Sequence, residues 1–137
     1  MKAALFGKRI DNTNIGRLIL FVNNLKEYRH FEFCYHISFY NLIKEFSQEL
    51  PQGGLFTSHE DLPEDVDIFL SLGGDGTFLE SLTMVRDREI PIAGINFGRL
   101  GFLTTACVQE NNPWIEKLIS GDYAVEERAL LHLCKDE

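Results

Sequence analysis

The sequence has no run of lysine and arginine longer than the pair Lys8-Arg9, and its 13 basic residues are outnumbered by 21 acidic ones, a net charge of −8. Proteins that track a nucleic-acid backbone present a basic face to the phosphates, so general nucleic-acid binding is not expected. A small anion remains possible as a ligand, because backbone N–H groups alone can hold a phosphate. Cysteine is scarce and odd in number: Cys34, Cys107 and Cys134 are far apart and form no Cys-x-x-Cys pair. That pattern fits a reduced, cytoplasmic compartment. Long apolar runs are missing too. Ala3 to Phe6 is too short for a signal-peptide core, and no stretch approaches the roughly 20 residues of a membrane span. No membrane partner is expected, and no repeat or low-complexity tract occurs.

Against those absences stand 137 residues, 45% of them hydrophobic and 25% charged, with eleven phenylalanines. This is enough for one packed core. Lys2 to Phe6 reads as a buried strand closed by Gly7. Asp11, Asn12 and Thr13 are helix-capping types, and Ile15, Leu18, Ile19, Val22 and Leu25 follow at helical spacing. A strand over Glu32 to His36 precedes a helix with Phe39, Leu42, Ile43, Phe46 and Leu50 on one face. Pro51 and Gly53-Gly54 are expected to end that helix. Leu55 to Thr57 reads as a short strand. Asp67 to Leu72 is nearly all apolar, as a strand covered on both faces should be. A helix over Thr77 to Val85 follows, with Phe78, Leu79, Leu82 and Val85 inward, then a strand over Ile92 to Ile95. Asn112-Pro113 opens a last helix, which carries Trp114 on its apolar stripe and stops at Gly121. Alternating strands and helices predict an α/β fold: an open, mainly parallel, doubly wound sheet with helices on both faces.

Two glycine loops sit at strand ends, where such sheets bind ligands. In Gly73-Gly74-Asp75-Gly76-Thr77 the glycines let the chain turn tightly and let a ligand approach, and the next helix points free N–H groups at the loop. Asp75 is the one ionisable group there. Its carboxylate can orient a hydroxyl and take its proton late in phosphoryl transfer, a reaction governed mostly by positioning and charge. The structural alternative is that Asp75 caps the helix through Thr77 N–H. Neither a P-loop nor a complete Gly-x-Gly-x-x-Gly occurs, since Leu79 stands at the last position. No acidic residue lies about 20 residues on to hold a ribose.

Leu72 to Leu79 resembles the Gly-Gly-Asp-Gly-Thr signature of the NAD kinase, diacylglycerol kinase and phosphofructokinase group. Gly94-Ile95-Asn96-Phe97-Gly98-Arg99-Leu100-Gly101-Phe102-Leu103-Thr104 is similar to the second signature of NAD kinases. Glu126 to Leu131 resembles that family's passage into its C-terminal domain. The resemblance implies transfer of a phosphoryl group from ATP, accompanied by Mg²⁺, to the 2′-hydroxyl of the adenosine ribose of NAD. It implies that Asp75 accepts the hydroxyl proton, that Gly76 and Leu79 lie by the nucleotide, and that Phe102 forms an apolar wall for the adenine. Asn96 would contact the nucleotide or tie the two loops together. Arg99 would reach a phosphate or form a surface ion pair. Residues 1–122 are then the N-terminal domain, and residues 123–137, with a strand over Ala129 to Leu133, open a β-rich domain that is missing. Full-length members of the family are homo-oligomers.

Two departures stand out. Phe97 occupies a position where the family more often has a small or polar residue. The family's Asn-Glu or Asn-Asp pair is absent from the chain, so the chain alone is expected to be inactive. A lipid kinase of the diacylglycerol or sphingosine type shares the first loop. The second loop and the lack of a basic or amphipathic membrane-facing segment speak against it. A non-catalytic nucleotide-binding module is the other alternative. The four histidines show no zinc spacing, and the acidic stretch around Pro63 reads as a solvated loop.

Overall fold

Along each central strand, successive side chains enter two different cores. The computed structural model describes residues 1–99, 101–104, 106–109 and 112–135. Leu100 of the second loop lies outside them, as do the last two residues of the tail. The elements are β1 (Lys2–Phe6), a 3-10 turn (Asn12–Asn14), α1 (Ile15–Leu25), β2 (Glu32–His36), α2 (Ile37–Glu45), β3 (Gly53–Phe56), β4 (Ile68–Leu72), α3 (Asp75–Val85), β5 (Ile92–Asn96), β6 (Ala106–Cys107) and α4 (Pro113–Ser120). The six strands form one sheet in the order β3-β2-β1-β4-β5-β6. Every neighbouring pair is parallel.

Leu5, Tyr35, Leu70 and Leu72 face one side and pack on Leu18, Phe21 and Val22 of α1, Phe39 and Ile43 of α2 and Leu118 of α4. Ala4, Phe6, Cys34 and Phe69 face the other side, against Met84 and Val85 of α3 and against Leu62 and Val66 from the β3–β4 connection. The period-2 alternation of strand side chains supplies both cores at once. With both faces covered, the strands read as continuous apolar runs. The doubly wound α/β sheet expected from the sequence is therefore the fold. Its strand order changes direction between β1 and β4, and the carboxyl ends of those strands open the crevice typical of such sheets.

Several local expectations are corrected. α2 stops at Glu45, and Ser47, at φ 53, turns the chain away. Gly53 and Gly54 do not stop a helix; they open β3. A Cβ on Gly53 would lie 2.3 Å from the Phe33 carbonyl oxygen, so the glycine serves a close approach of neighbouring strands. α3 begins at Asp75 rather than Thr77, and its buried residues are Ser81, Met84 and Val85. That helical phase turns Leu79 outward, 55% exposed. Asp11 stands before the 3-10 turn without a side-chain cap bond, Asn12 and Thr13 lie inside that turn, and the residue at the N-cap of α1 is Asn14, also without one. Asn112 stands at the N-cap of α4 with Pro113 following, as expected, but its side chain makes no cap bond; its Oδ1 accepts from Gln109 N at 3.0 Å. The acidic stretch around Pro63 is the solvated loop expected, with Glu60, Asp61, Glu64, Asp65 and Asp67 all exposed; within it Asp61 accepts from Thr57 and Ser58 N–H, and Asp65 pairs with Lys2. The strand expected over residues 129–133 does not form. Residues 122–135 carry no helix or strand, and Leu131 and Leu133 are essentially fully exposed. A strand needs a partner ladder, and these residues pair with none of the sheet's strands. Gly121 ends α4 in the left-handed region, as expected. No described helix is long and apolar enough to cross a membrane.

Ser71 of β4 is fully buried, and its Oγ has no hydrogen-bond partner among the described residues. A buried hydroxyl left unpaired costs about 1–3 kcal/mol. Ser71→Ala is therefore expected to raise the urea midpoint of unfolding, by about 1 kcal/mol in stability. A clear fall in the midpoint would show that the hydroxyl is satisfied.

Candidate active site at the carboxyl edge

The end of β4 is tied to β5 by Gly73 N–H donating to the Ile95 carbonyl at 2.9 Å. Gly73 has φ 153, a conformation that favours glycine, and a Cβ there would lie 2.6 Å from Thr77 Oγ1. The chain then enters α3 with Gly74 as the capping residue and Asp75 in the first turn. Asp75 makes no capping bond to its own helix; its carboxylate reaches across to the second loop. Oδ2 accepts from Phe102 N at 2.9 Å, and Oδ1 accepts from Leu103 N at 3.0 Å and Thr104 N at 3.3 Å. The helix-cap alternative is thus replaced by a bridge between the two glycine loops.

This arrangement requires two further glycines. A Cβ on Gly101 would sit 2.3 Å from Asp75 Oδ1 and 2.6 Å from its carboxyl carbon. Gly101 N–H in turn donates to Thr104 Oγ1 at 2.9 Å, which curls the loop around the carboxylate. At Gly94, a Cβ would lie 2.9 Å from both Phe78 Cδ2 and Thr104 Cα, so β5, α3 and the second loop meet there.

Hydrogen bonds from Leu103 and then Phe102 hold the Asp75 carboxyl below its ordinary value of 3.8; desolvation opposes them less strongly, and the Thr104 bond adds the smallest contribution. A carboxylate has about four acceptor sites. Three N–H donors leave room for one hydroxyl. The group is a weak base in a fixed orientation, suited to positioning a hydroxyl rather than to strong proton abstraction.

The other residues singled out in the sequence fall as follows. Gly76 is exposed, with open space where a side chain would be. Leu79 and Phe102 are exposed near the loops, Phe102 at 97%. Asn96 does not join the loops: its Oδ1 accepts from Gly98 N at 2.8 Å within the second loop. Arg99 is exposed, and no hydrogen bond or ion pair of its side chain is present among the described residues. Phe97 turns inward and is buried, edge-on to Phe21 with ring centroids 5.8 Å apart. The aromatic departure at that position is therefore a core anchor for the loop. Gly101 and Thr104 were quoted in the motif but given no role. Their role depends on where Asp75 points, and one-dimensional spacing does not give that. Among the described residues no three His, Cys, Asp or Glu side chains converge to hold a metal ion.

A family model for the ATP-NAD kinase N-terminal domain matches residues 54–123, just over half of the chain. The chain belongs to the NAD kinase family. It is 39% identical to an NAD kinase of Cytophaga hutchinsonii over 98% of this chain and 46% of that protein. It is 35% identical to one of Flavobacterium psychrophilum over 97% of this chain and 45% of that protein. The chain thus spans about half the length of these relatives. Among solved structures it resembles a yeast NADH kinase complexed with NADH, with a TM-score of 0.67 and 22% identity over 88% of this chain and 38% of that one. At that identity the likeness concerns the fold, and it agrees with the doubly wound sheet of this NAD kinase family member.

The bridge makes a pH prediction. Because the folded-state value of Asp75 is depressed, its stabilising effect is fully present above 3.8 and is lost as pH falls through the lower folded value. Amide NMR signals of Phe102, Leu103 and Thr104 should shift together, with a common midpoint below the ordinary carboxyl value of 3.8. In Gly101→Ala, whose Cβ displaces the carboxylate, the same transition should move upward. Identical titrations in the two proteins would contradict the bridge.

Proposed function

We propose that this chain is the hydroxyl-orienting part of a longer enzyme that phosphorylates the 2′-hydroxyl of the adenosine ribose of NAD, with ATP as donor. The observation that carries the reading is the carboxylate of Asp75, fixed between the two glycine loops with one acceptor site to spare. In this reading the ribose 2′-hydroxyl donates to Asp75 and its oxygen attacks the γ-phosphorus of ATP. The new O–P bond forms as the bond to the β-phosphate oxygen breaks, ADP leaves, and the hydroxyl proton passes late to Asp75. The transition state of such transfers is loose, so a weak base in the right place suffices.

Gly76, with nothing above it, lets the ribose lie close to the backbone, and Leu79 and Phe102 offer exposed apolar surface to the adenine. Asn96 serves by shaping the loop, and Arg99 by extending toward a phosphate. A Mg²⁺ ion bound with the nucleotide would supply charge neutralisation on the ATP phosphates; among the described residues no cluster of His, Cys, Asp or Glu would hold it. Three unpaired cysteines agree with a cytoplasmic enzyme. Residues 123–137 lead, in this reading, into the second domain, whose contacts and a homo-oligomeric assembly complete the nucleotide site.

The test is Asp75→Asn in the full-length protein. An asparagine retains one acceptor oxygen but turns N–H donors toward the loop's own N–H groups, and it cannot take the proton. Turnover to NADP should fall about 10²- to 10⁴-fold, while the affinity for NAD changes far less. Near-normal turnover by a folded variant would refute the catalytic role of Asp75.

A further inference from the structure

The second loop can hold Asp75 only if the loop itself is held, and the bond that reaches furthest to do so comes from α1. Arg17, in the first turn of that helix, donates from Nη1 to the Phe97 carbonyl at 2.6 Å, across 80 residues of sequence. No acidic partner for Arg17 is present among the described residues. Its charge is directed at a neutral backbone oxygen at the end of β5.

The helix that carries Arg17 is itself fixed. Leu18, Phe21, Val22 and Leu25 are buried in the first core. Phe97 packs edge-on against Phe21, which stacks on Trp114 of α4 at 6.0 Å. On the other flank, Asn14 lies so close that its Nδ2 would be 3.1 Å from a Cβ on Gly98. Cys107 Sγ donates to the Gly98 carbonyl at 3.4 Å. Residues 96–98 are therefore pinned from α1, from the 3-10 turn before it and from β6, with α4 backing Phe21, and the N–H donors to Asp75 begin only a few residues later.

We infer that Arg17 is a positioning residue for Asp75: by fixing the Phe97 carbonyl it sets where the amides of residues 102–104 stand, and through them the direction of the carboxylate. The link to turnover rests on the kinase reading above, whereas the coupling between Arg17 and Asp75 does not. Guanidinium geometry matters here, because the single Nη1 donor sits on a rigid planar group whose direction is better fixed than that of a flexible ammonium.

Two variants and two readouts test the inference. In the 137-residue chain, R17Q should move the carboxyl titration of Asp75, followed by NMR, upward toward 3.8 as the amide donors drift away, with R17K intermediate. In the full-length protein, R17Q should lower kcat for NADP formation about ten- to a hundredfold, as expected when a reacting group is misplaced. KM for NAD should change little, and R17K should recover part of kcat. An Asp75 titration that is the same in folded R17Q as in the unaltered chain overturns the inference, whatever the kinetics. A rise in KM with kcat retained overturns it as well and makes Arg17 a substrate contact. If the full-length protein forms no NADP, the kinase reading fails, and the Asp75 titration alone decides the coupling.

Discussion

Three backbone N–H groups converge on the carboxylate of Asp75, and much of the carboxyl edge is arranged around them. Backbone donors are a rigid choice, because their direction is set by the path of the chain rather than by a rotamer. They also carry no charge of their own to compete for a phosphate. The consequence is an acidic group with depressed basicity and a fixed orientation, at the start of a helix whose positive end favours the ionised form. On the proposed reading that combination suits phosphoryl transfer, where the hydroxyl must be aimed more than it must be deprotonated.

Everything around the bridge limits how the two loops can move. Gly73 permits the turn into α3, Gly94 lets α3 and the second loop meet over β5, and Gly101 leaves space for the carboxylate. These three glycines act by what a side chain would strike or by the φ a side chain would resist. Gly76, by contrast, faces open space, which is what an approaching ligand requires. The sheet supplies the platform: β4 and β5 are adjacent and parallel, so their carboxyl-end loops emerge side by side.

The architecture was legible in the sequence because the central strands are apolar on both faces and α1 carries an apolar stripe at helical spacing; the stripes read for α2 and α3 placed those helices but not the end of α2 or the buried face of α3. Asp67 to Leu72 and Ile92 to Ile95 were located to within a residue on that basis. β6 was missed, since two residues carry no period. Gly53-Gly54 misled, because a helix stop and a close strand approach call for the same residue. Within the site, residue types and loops were readable, but the direction of Asp75 was not. A carboxylate at a helix start usually caps that helix; here the second loop competes for it and wins with three donors against none. Arg17 gave no signal at all, since its partner is a carbonyl, a group that every residue possesses.

The central claim is that the bridged carboxylate is where the acceptor hydroxyl binds. The most direct test is a crystal structure of the full-length protein with NAD bound. The adenosine ribose 2′-hydroxyl should lie within hydrogen-bond reach of Asp75, about 2.6–3.2 Å, with the amides of Phe102 and Leu103 still donating to the same carboxylate. A ribose bound elsewhere, or an Asp75 carboxylate turned away from both the ribose and the second loop, would contradict it.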